Sequence, residues 1–277
     1  MLEKERISFL EERAFEARCN ALSAIHAAGR GHVGGAMSII EILVTLYYEV
    51  MRVDSQRPNW EDRDRLVCSK GHAAPAIYAI LAMKGYFDKA LLETLNKNGT
   101  TLPSHCDRKK VIGVDMTAGS LGQGLSCAVG MALAGKIDRK DYRVFAIVGD
   151  GESQEGQIWE AVMFAAQKKL DNLFVFVDNN KCQVDGFTDS IVTVRPFEDK
   201  YRAFGWDVHT AANGHDFNQL LSCIEDAEHI SGKPHVIVAE TVKGKGVPGY
   251  EGNPASHCFS VSDELFAQAI KKRNEAE

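Results

Sequence analysis

Apolar and polar positions alternate along this chain in two distinct periods. From Glu3 to Ala28, Ile7, Leu10, Ala14, Ala17, Ala21, Leu22 and Ile25 recur near helical spacing, which predicts a long amphipathic helix. Ser38 precedes an apolar stretch that predicts a helix through Met51. Leu66 to Ser69 reads as a short buried strand, and Ala73 to Gly85 as a helix; Asp88 is placed to cap the next element. Gly119 to Gly124 opens a helix of small residues. The run Val144 to Val148, a helical stretch from Gln157, and the run Leu173 to Asp178 then form a β-α-β unit. A helix from Pro196, a strand at Trp206 to Thr210, a helix from Asp216 to Ile230 and a last strand at His235 to Thr241 complete the alternation. A Gly-rich loop covers Val242 to His257, and a helix starts near Asp263. The expected fold is α/β: an open, mostly parallel sheet with helices on both faces, in one domain spanning residues 1–277.

The β-α-β unit carries the chemistry. Asp150 stands between Gly149 and Gly151 at the end of its first strand, and Asn179-Asn180 end the second. In a parallel sheet both ends lie on the edge where ligands bind, so Asp150 and Asn180 can converge. A carboxylate and an amide are hard oxygen donors that suit Mg²⁺ or Ca²⁺ rather than zinc or copper. So few protein ligands fit a cation whose shell a phosphate completes. Gly151 lets a phosphate approach the backbone at a helix N-terminus. The alternative for a bare Gly-Asp-Gly is a tight turn with Asp150 as a helix cap.

Composition narrows the classes. A net charge of −6 gives no basic footprint for nucleic acid, and the runs Arg108-Lys109-Lys110 and Lys271-Lys272-Arg273 are short enough to be solvated faces. Seven cysteines without a C-x-x-C argue against a disulfide framework or zinc site and for a reducing, cytoplasmic setting. The charged N-terminus is not a signal peptide, and no apolar run is long enough to span a membrane. Two G-x-G-x-x-G matches occur, at Gly29–Gly34 and Gly244–Gly249. The first follows a helix and the second opens no helix, so a nicotinamide-dependent oxidoreductase has little support.

Gly-Asp-Gly, about 27 residues, then Asn-Asn resembles the thiamine-diphosphate motif, and GDGESQEGQIWEA resembles the transketolase form of it. The resemblance runs over essentially the whole chain and matches the family's N-terminal, diphosphate-binding domain. Gly31-His32-Val33-Gly34 resembles its Gly-His-Pro-Gly, with Val for Pro. Ser69-Lys70-Gly71-His72-Ala73 resembles its Asn-Gly-His-Ala, Pro103-Ser104-His105 its Pro-Gly-His, and Gly119 to Gly124 its Gly-Pro-Leu-Gly-Gln-Gly. Ser256-His257 matches its last loop histidine, without the Gly-Ala-Pro that follows in the family.

The resemblance implies thiamine diphosphate held through Mg²⁺ or Ca²⁺ by Asp150, Asn180 and the Cys182 carbonyl. It implies Gly151, His72 and His257 at the diphosphate, and Gly119 and Leu121 near the aminopyrimidine. His32, His105 and His257 would act in the sugar channel, and Glu155 would lie in a carboxylate network at a subunit interface. The family's aminopyrimidine glutamate and phosphate-gripping arginines belong to a following domain. The chain is therefore expected to be the N-terminal subunit of a split transketolase. Its expected partner is a C-terminal subunit, in a heterotetramer acting on sugar phosphates. A deoxyxylulose-phosphate synthase, a 2-oxo acid dehydrogenase component and a non-catalytic partner-binding remnant are the alternatives.

Overall fold

A computed structural model describes residues 2–271. In chain order the elements are α1 (Lys4–Ala27), α2 (Gly34–Met37), α3 (Ile40–Thr45), β1 (Arg65–Cys68), α4 (Ala74–Met83), α5 (Gln123–Ile137) and β2 (Val144–Gly149). There follow α6 (Gly156–Gln167), β3 (Leu173–Asn179), β4 (Cys182–Gln183), β5 (Gly186–Phe187), α7 (Thr188–Ile191) and α8 (Phe197–Ala203). The chain closes with β6 (Asp207–Ala211), α9 (Phe217–Glu228), β7 (His235–Glu240) and α10 (Asp263–Lys271). Of the basic run 271–273, residues 272 and 273 lie outside the described residues.

Five strands form one sheet in the order β1-β2-β3-β7-β6, and every pair in it is parallel. Alternate strand residues face opposite sides. Phe145, Ile147, Phe174, Phe176 and Ile237 join the core built with α1, α3, α4 and α9. Val144, Ala146, Val148, Val175, Val177 and Val236 join the core built with α5, α6 and α8. Both faces of β2 and β3 are therefore buried, which accounts for their near-continuous apolar runs.

One expectation needs correcting, and one element was not expected. The apolar helix placed between Ser38 and Met51 begins at Gly34, breaks at Ser38–Ile39 and ends in a π-helical turn over Leu46–Val50. Ser38 cannot act as an N-cap, because it already has helical backbone angles at the end of α2. Its hydroxyl instead bonds the buried Asp178 at 2.8 Å. The segment after Asn180 also folds back as a small antiparallel hairpin, β4–β5, which the apolar pattern does not predict. No helix among the described residues is long and apolar enough to cross a membrane, and all seven cysteines are free.

Candidate functional site

The register of the sheet sets the site. Gly149 of β2 pairs with Asp178 of β3, and Asn179 pairs with Glu240 of β7, so three strands end side by side. Asp150 follows β2, Asn180 follows β3 and Lys243 follows β7. All three line one cavity of about 190 Å³, together with Gly151, Cys182, His72, His257, Leu121 and Glu155.

Asp150 is 2 % exposed. Its carboxylate accepts the backbone N–H groups of Gly151 (2.7 Å) and Lys181 (2.5 Å), which aim it across the strand tips. Burial, with the nearby Asp178 carboxylate, pushes its pKa up to about 7. Asn180 donates to Asp178 at 2.6 Å, which fixes its amide, and its side-chain oxygen accepts the Cys182 N–H at 3.1 Å. The Cys182 carbonyl accepts from the Lys243 ammonium at 3.0 Å. Among the described residues no three His, Cys, Asp or Glu side chains gather as metal ligands. A cation here would rest on one carboxylate, one amide and one carbonyl. This set fits: the oxygens are hard, and among the described residues no cation forms an ion pair with the buried Asp150.

The four loop histidines come together. His32 has its ring centroid 5.2 Å from His72, 5.4 Å from His105 and 5.3 Å from His257, and His72 lies 5.1 Å from His257. His72 and His257 line the cavity, while His32 and His105 carry the row away from it. All four have lowered pKa values. Burial is the first cause in each, reinforced for His32, His72 and His257 by neighbouring imidazoles and by Lys243. His257 falls to about 3. The row is thus neutral at pH 7, able to donate and accept hydrogen bonds to hydroxyls. Ser104 Oγ lies 3.0 Å from His105 Nδ1 and orients that ring.

Sequence reasoning missed four charged residues at the site. Lys70 is buried and pairs with Asp178 at 2.5 Å, while also donating to the Gly35 carbonyl and to Ser38. Burial works to raise the Asp178 pKa, but Lys70 and the surrounding hydrogen bonds hold it below the usual carboxylate range. Glu152, not Glu155, is the buried glutamate of the Gly-Asp-Gly-Glu run. It accepts from Ser69 (2.5 Å) and from the backbone N–H groups of Gly122 (2.9 Å) and Gly149 (3.0 Å), tying three loops together. Lys243 is 2 % exposed, and burial lowers its pKa to about 8. Gly34 gives it room, since a Cβ there would meet the Lys243 side chain at 2.8 Å. Each had a signal: Asp178 is a charge inside an apolar strand, Glu152 directly follows Gly-Asp-Gly, and Lys70 and Lys243 sit in loops that also carry a marked histidine.

Two sequence-predicted residues are exposed. Gly119 is exposed and outside the cavity lining, two residues before Leu121, which is inside it. Glu155 lies on the rim, exposed, with no carboxylate partner in the chain among the described residues.

Known proteins share both sequence and fold. The family model "Transketolase, thiamine diphosphate binding domain" matches residues 11–274. A 6-deoxy-6-sulfo-D-fructose transketolase subunit of Clostridium sp. is 50% identical, over 94% of this chain and 94% of its own. An apulose-4-phosphate transketolase subunit of Phocaeicola vulgatus is 36% identical over 98% of this chain and 95% of its own. The transketolase of Leishmania mexicana superposes with a TM-score of 0.90 at 33% identity, and that of Campylobacter jejuni with 0.91 at 30%. This chain covers 95% and 97% of its own length in those superpositions, but only 41% and 43% of theirs. By the family match and these relatives, the chain belongs to the transketolase family, as its thiamine-diphosphate-binding domain.

Proposed function

We propose that this chain is the diphosphate-binding subunit of a two-chain transketolase. It would move a two-carbon ketol unit from an anionic ketose to an aldose acceptor. The observation that carries this reading is the convergence of Asp150, Asn180 and the Cys182 carbonyl on one cavity edged by neutral imidazoles. Those three oxygens would hold Mg²⁺ or Ca²⁺. Lys243 and His72 would face the diphosphate, and the fixed Asp150 and Asn180 would set its register. Bound there, thiamine diphosphate would supply the electron sink that cleavage of a ketose carbon–carbon bond needs. The imidazoles of His32, His105 and His257 would orient sugar hydroxyls, a role suited to groups that are neutral at pH 7 and both donate and accept.

The second chain would supply the glutamate at the aminopyrimidine and the groups that grip the far end of the sugar. Two relatives of similar length are themselves named as subunits, which supports this division. We place the assembly in the cytoplasm as a heterotetramer with Glu155 at its interface, and treat residues 1–277 as one domain. The 50% relative makes 6-deoxy-6-sulfofructose the first donor to try, ahead of ketose phosphates.

The test is reconstitution. The chain is mixed with a pyrimidine-domain partner, thiamine diphosphate and Mg²⁺, and assayed on a donor panel that includes pyruvate. Ketol transfer only in the complete mixture is expected. Turnover by the chain alone would reject the division of the site. Pyruvate decarboxylation without ketol transfer would favour the synthase or dehydrogenase alternative.

A further inference from the structure

The Gly-rich loop that delivers Lys243 is a run of tight turns: Gly244, Gly246, Gly249 and Gly252 all have positive φ, and the Lys245, Val247 and Gly252 N–H groups bond back to the Val242, Gly244 and Lys243 carbonyls. Two outside side chains hold its first turn. His215 Nε2 accepts the Val242 N–H at 2.9 Å, and Arg18 Nε donates to the Lys245 carbonyl at 2.8 Å. Both side chains meet on Glu41 of α3, His215 Nδ1 at 2.8 Å from one carboxylate oxygen and an Arg18 nitrogen at 2.8 Å from the other.

The tautomer follows from the donors. A backbone N–H can only donate, so His215 Nε2 is unprotonated and its proton sits on Nδ1, donating to Glu41. The loop also rests on the Arg18 stem: a Cβ at Gly246 would lie 2.4 Å from Arg18 Cδ. Val242 and Lys245 bracket Lys243, whose ammonium reaches Cys182 O at 3.0 Å and His257 Nδ1 at 3.2 Å. Glu41 is 7 % exposed and is not part of the cavity lining.

We propose that Glu41 is a positioning residue. Through His215 and Arg18 it fixes both ends of the span 242–245 and so sets where the Lys243 ammonium stands in the cofactor cavity. A buried ionic cluster is a poor way to gain stability, because desolvation offsets much of the attraction. Its directional bonds to two specified backbone atoms are what an apolar contact could not supply. The proposal rests on the cavity being a diphosphate site.

The test uses the full chain with Mg²⁺ and inorganic pyrophosphate as the probe. His215→Leu removes the acceptor for Val242, whereas His215→Gln presents a side-chain oxygen at similar reach. Glu41→Gln keeps the shape and removes the charge, and serves if His215→Leu does not fold. Amide exchange over residues 242–246, pyrophosphate affinity by calorimetry and thermal midpoint are measured together. His215→Leu and Glu41→Gln are expected to speed exchange at Val242 and to weaken binding about tenfold. His215→Gln is expected to stay within about threefold of wild type in affinity, whatever its midpoint. Equal losses in His215→Leu and His215→Gln, or unchanged exchange at Val242 in Glu41→Gln, would overturn the proposal. A wild-type chain that binds no Mg²⁺-pyrophosphate would reject the cofactor reading instead, and the exchange comparison would still decide the clamp.

Discussion

The Lys243 ammonium donates to the Cys182 carbonyl at 3.0 Å, the same oxygen proposed as a cation ligand. Two cations thus contend for one acceptor, and an anion must be present to reconcile them. Mg²⁺ alone is expected to bind weakly and Mg²⁺ with pyrophosphate far more tightly. Lys243→Met should raise affinity for the bare ion and lower affinity for the pair about tenfold. Calorimetry with each ligand checks this; a parallel fall in both affinities would remove Lys243 from the competition.

Asp150 trades stability for binding. Its pKa rises from 3.8 to about 7 on folding, so the folded metal-free chain holds a proton that the unfolded chain releases. That contribution is fully present below pH 3.8 and is lost as pH rises through about 7. Asp150→Asn is expected to raise the thermal midpoint of the metal-free chain at pH 8 while abolishing metal-dependent pyrophosphate binding. Melting curves with and without Mg²⁺-pyrophosphate separate the two effects.

Glu41 behaves in the opposite sense. Burial alone would raise its pKa, but Arg18 and then His215 hold it at about 2, below the 4.5 of a free glutamate. The stabilisation, on the order of 3 kcal/mol, is complete above pH 4.5 and is lost as pH falls through about 2. Acid titration of stability should therefore show a steeper loss between pH 4.5 and pH 2 in wild type than in Glu41→Gln.

The neutral histidine row should be visible directly. His257 is expected to stay unprotonated down to about pH 3 in imidazole NMR spectra. In the reconstituted enzyme His105→Ala is expected to raise the donor KM about tenfold with little change in cofactor affinity, since its ring stands outside the cavity lining. A loss confined to cofactor binding would place the ring elsewhere in the reaction.

Much of this was legible in the chain, for reasons that differ by residue. β2 and β3 are buried on both faces, so their apolar runs, and Asp150 and Asn180 just past their tips, could be read from a local pattern. The four histidines could be marked singly, by their Gly-, Pro- or Ser-containing loops, but their mutual approach depends on tertiary closure. Lys70 and Asp178 were harder, because a buried ion pair 108 residues apart leaves no periodic trace. The β4–β5 hairpin, with two residues per strand, is too short to show alternation. The break at Ser38–Ile39 falls inside a continuous apolar run, and the Ser38 partner, Asp178, lies 140 residues away.

The position of β7 has a consequence for biosynthesis. Among the described residues it is the last strand in sequence, yet it lies between β3 and β6. Until residues 235–240 leave the ribosome, β3 presents an unpaired inner edge and β6 has no neighbour to join. Nascent chains stalled before His235 should accordingly be sticky and dependent on chaperones, and become protease-resistant only once that strand emerges.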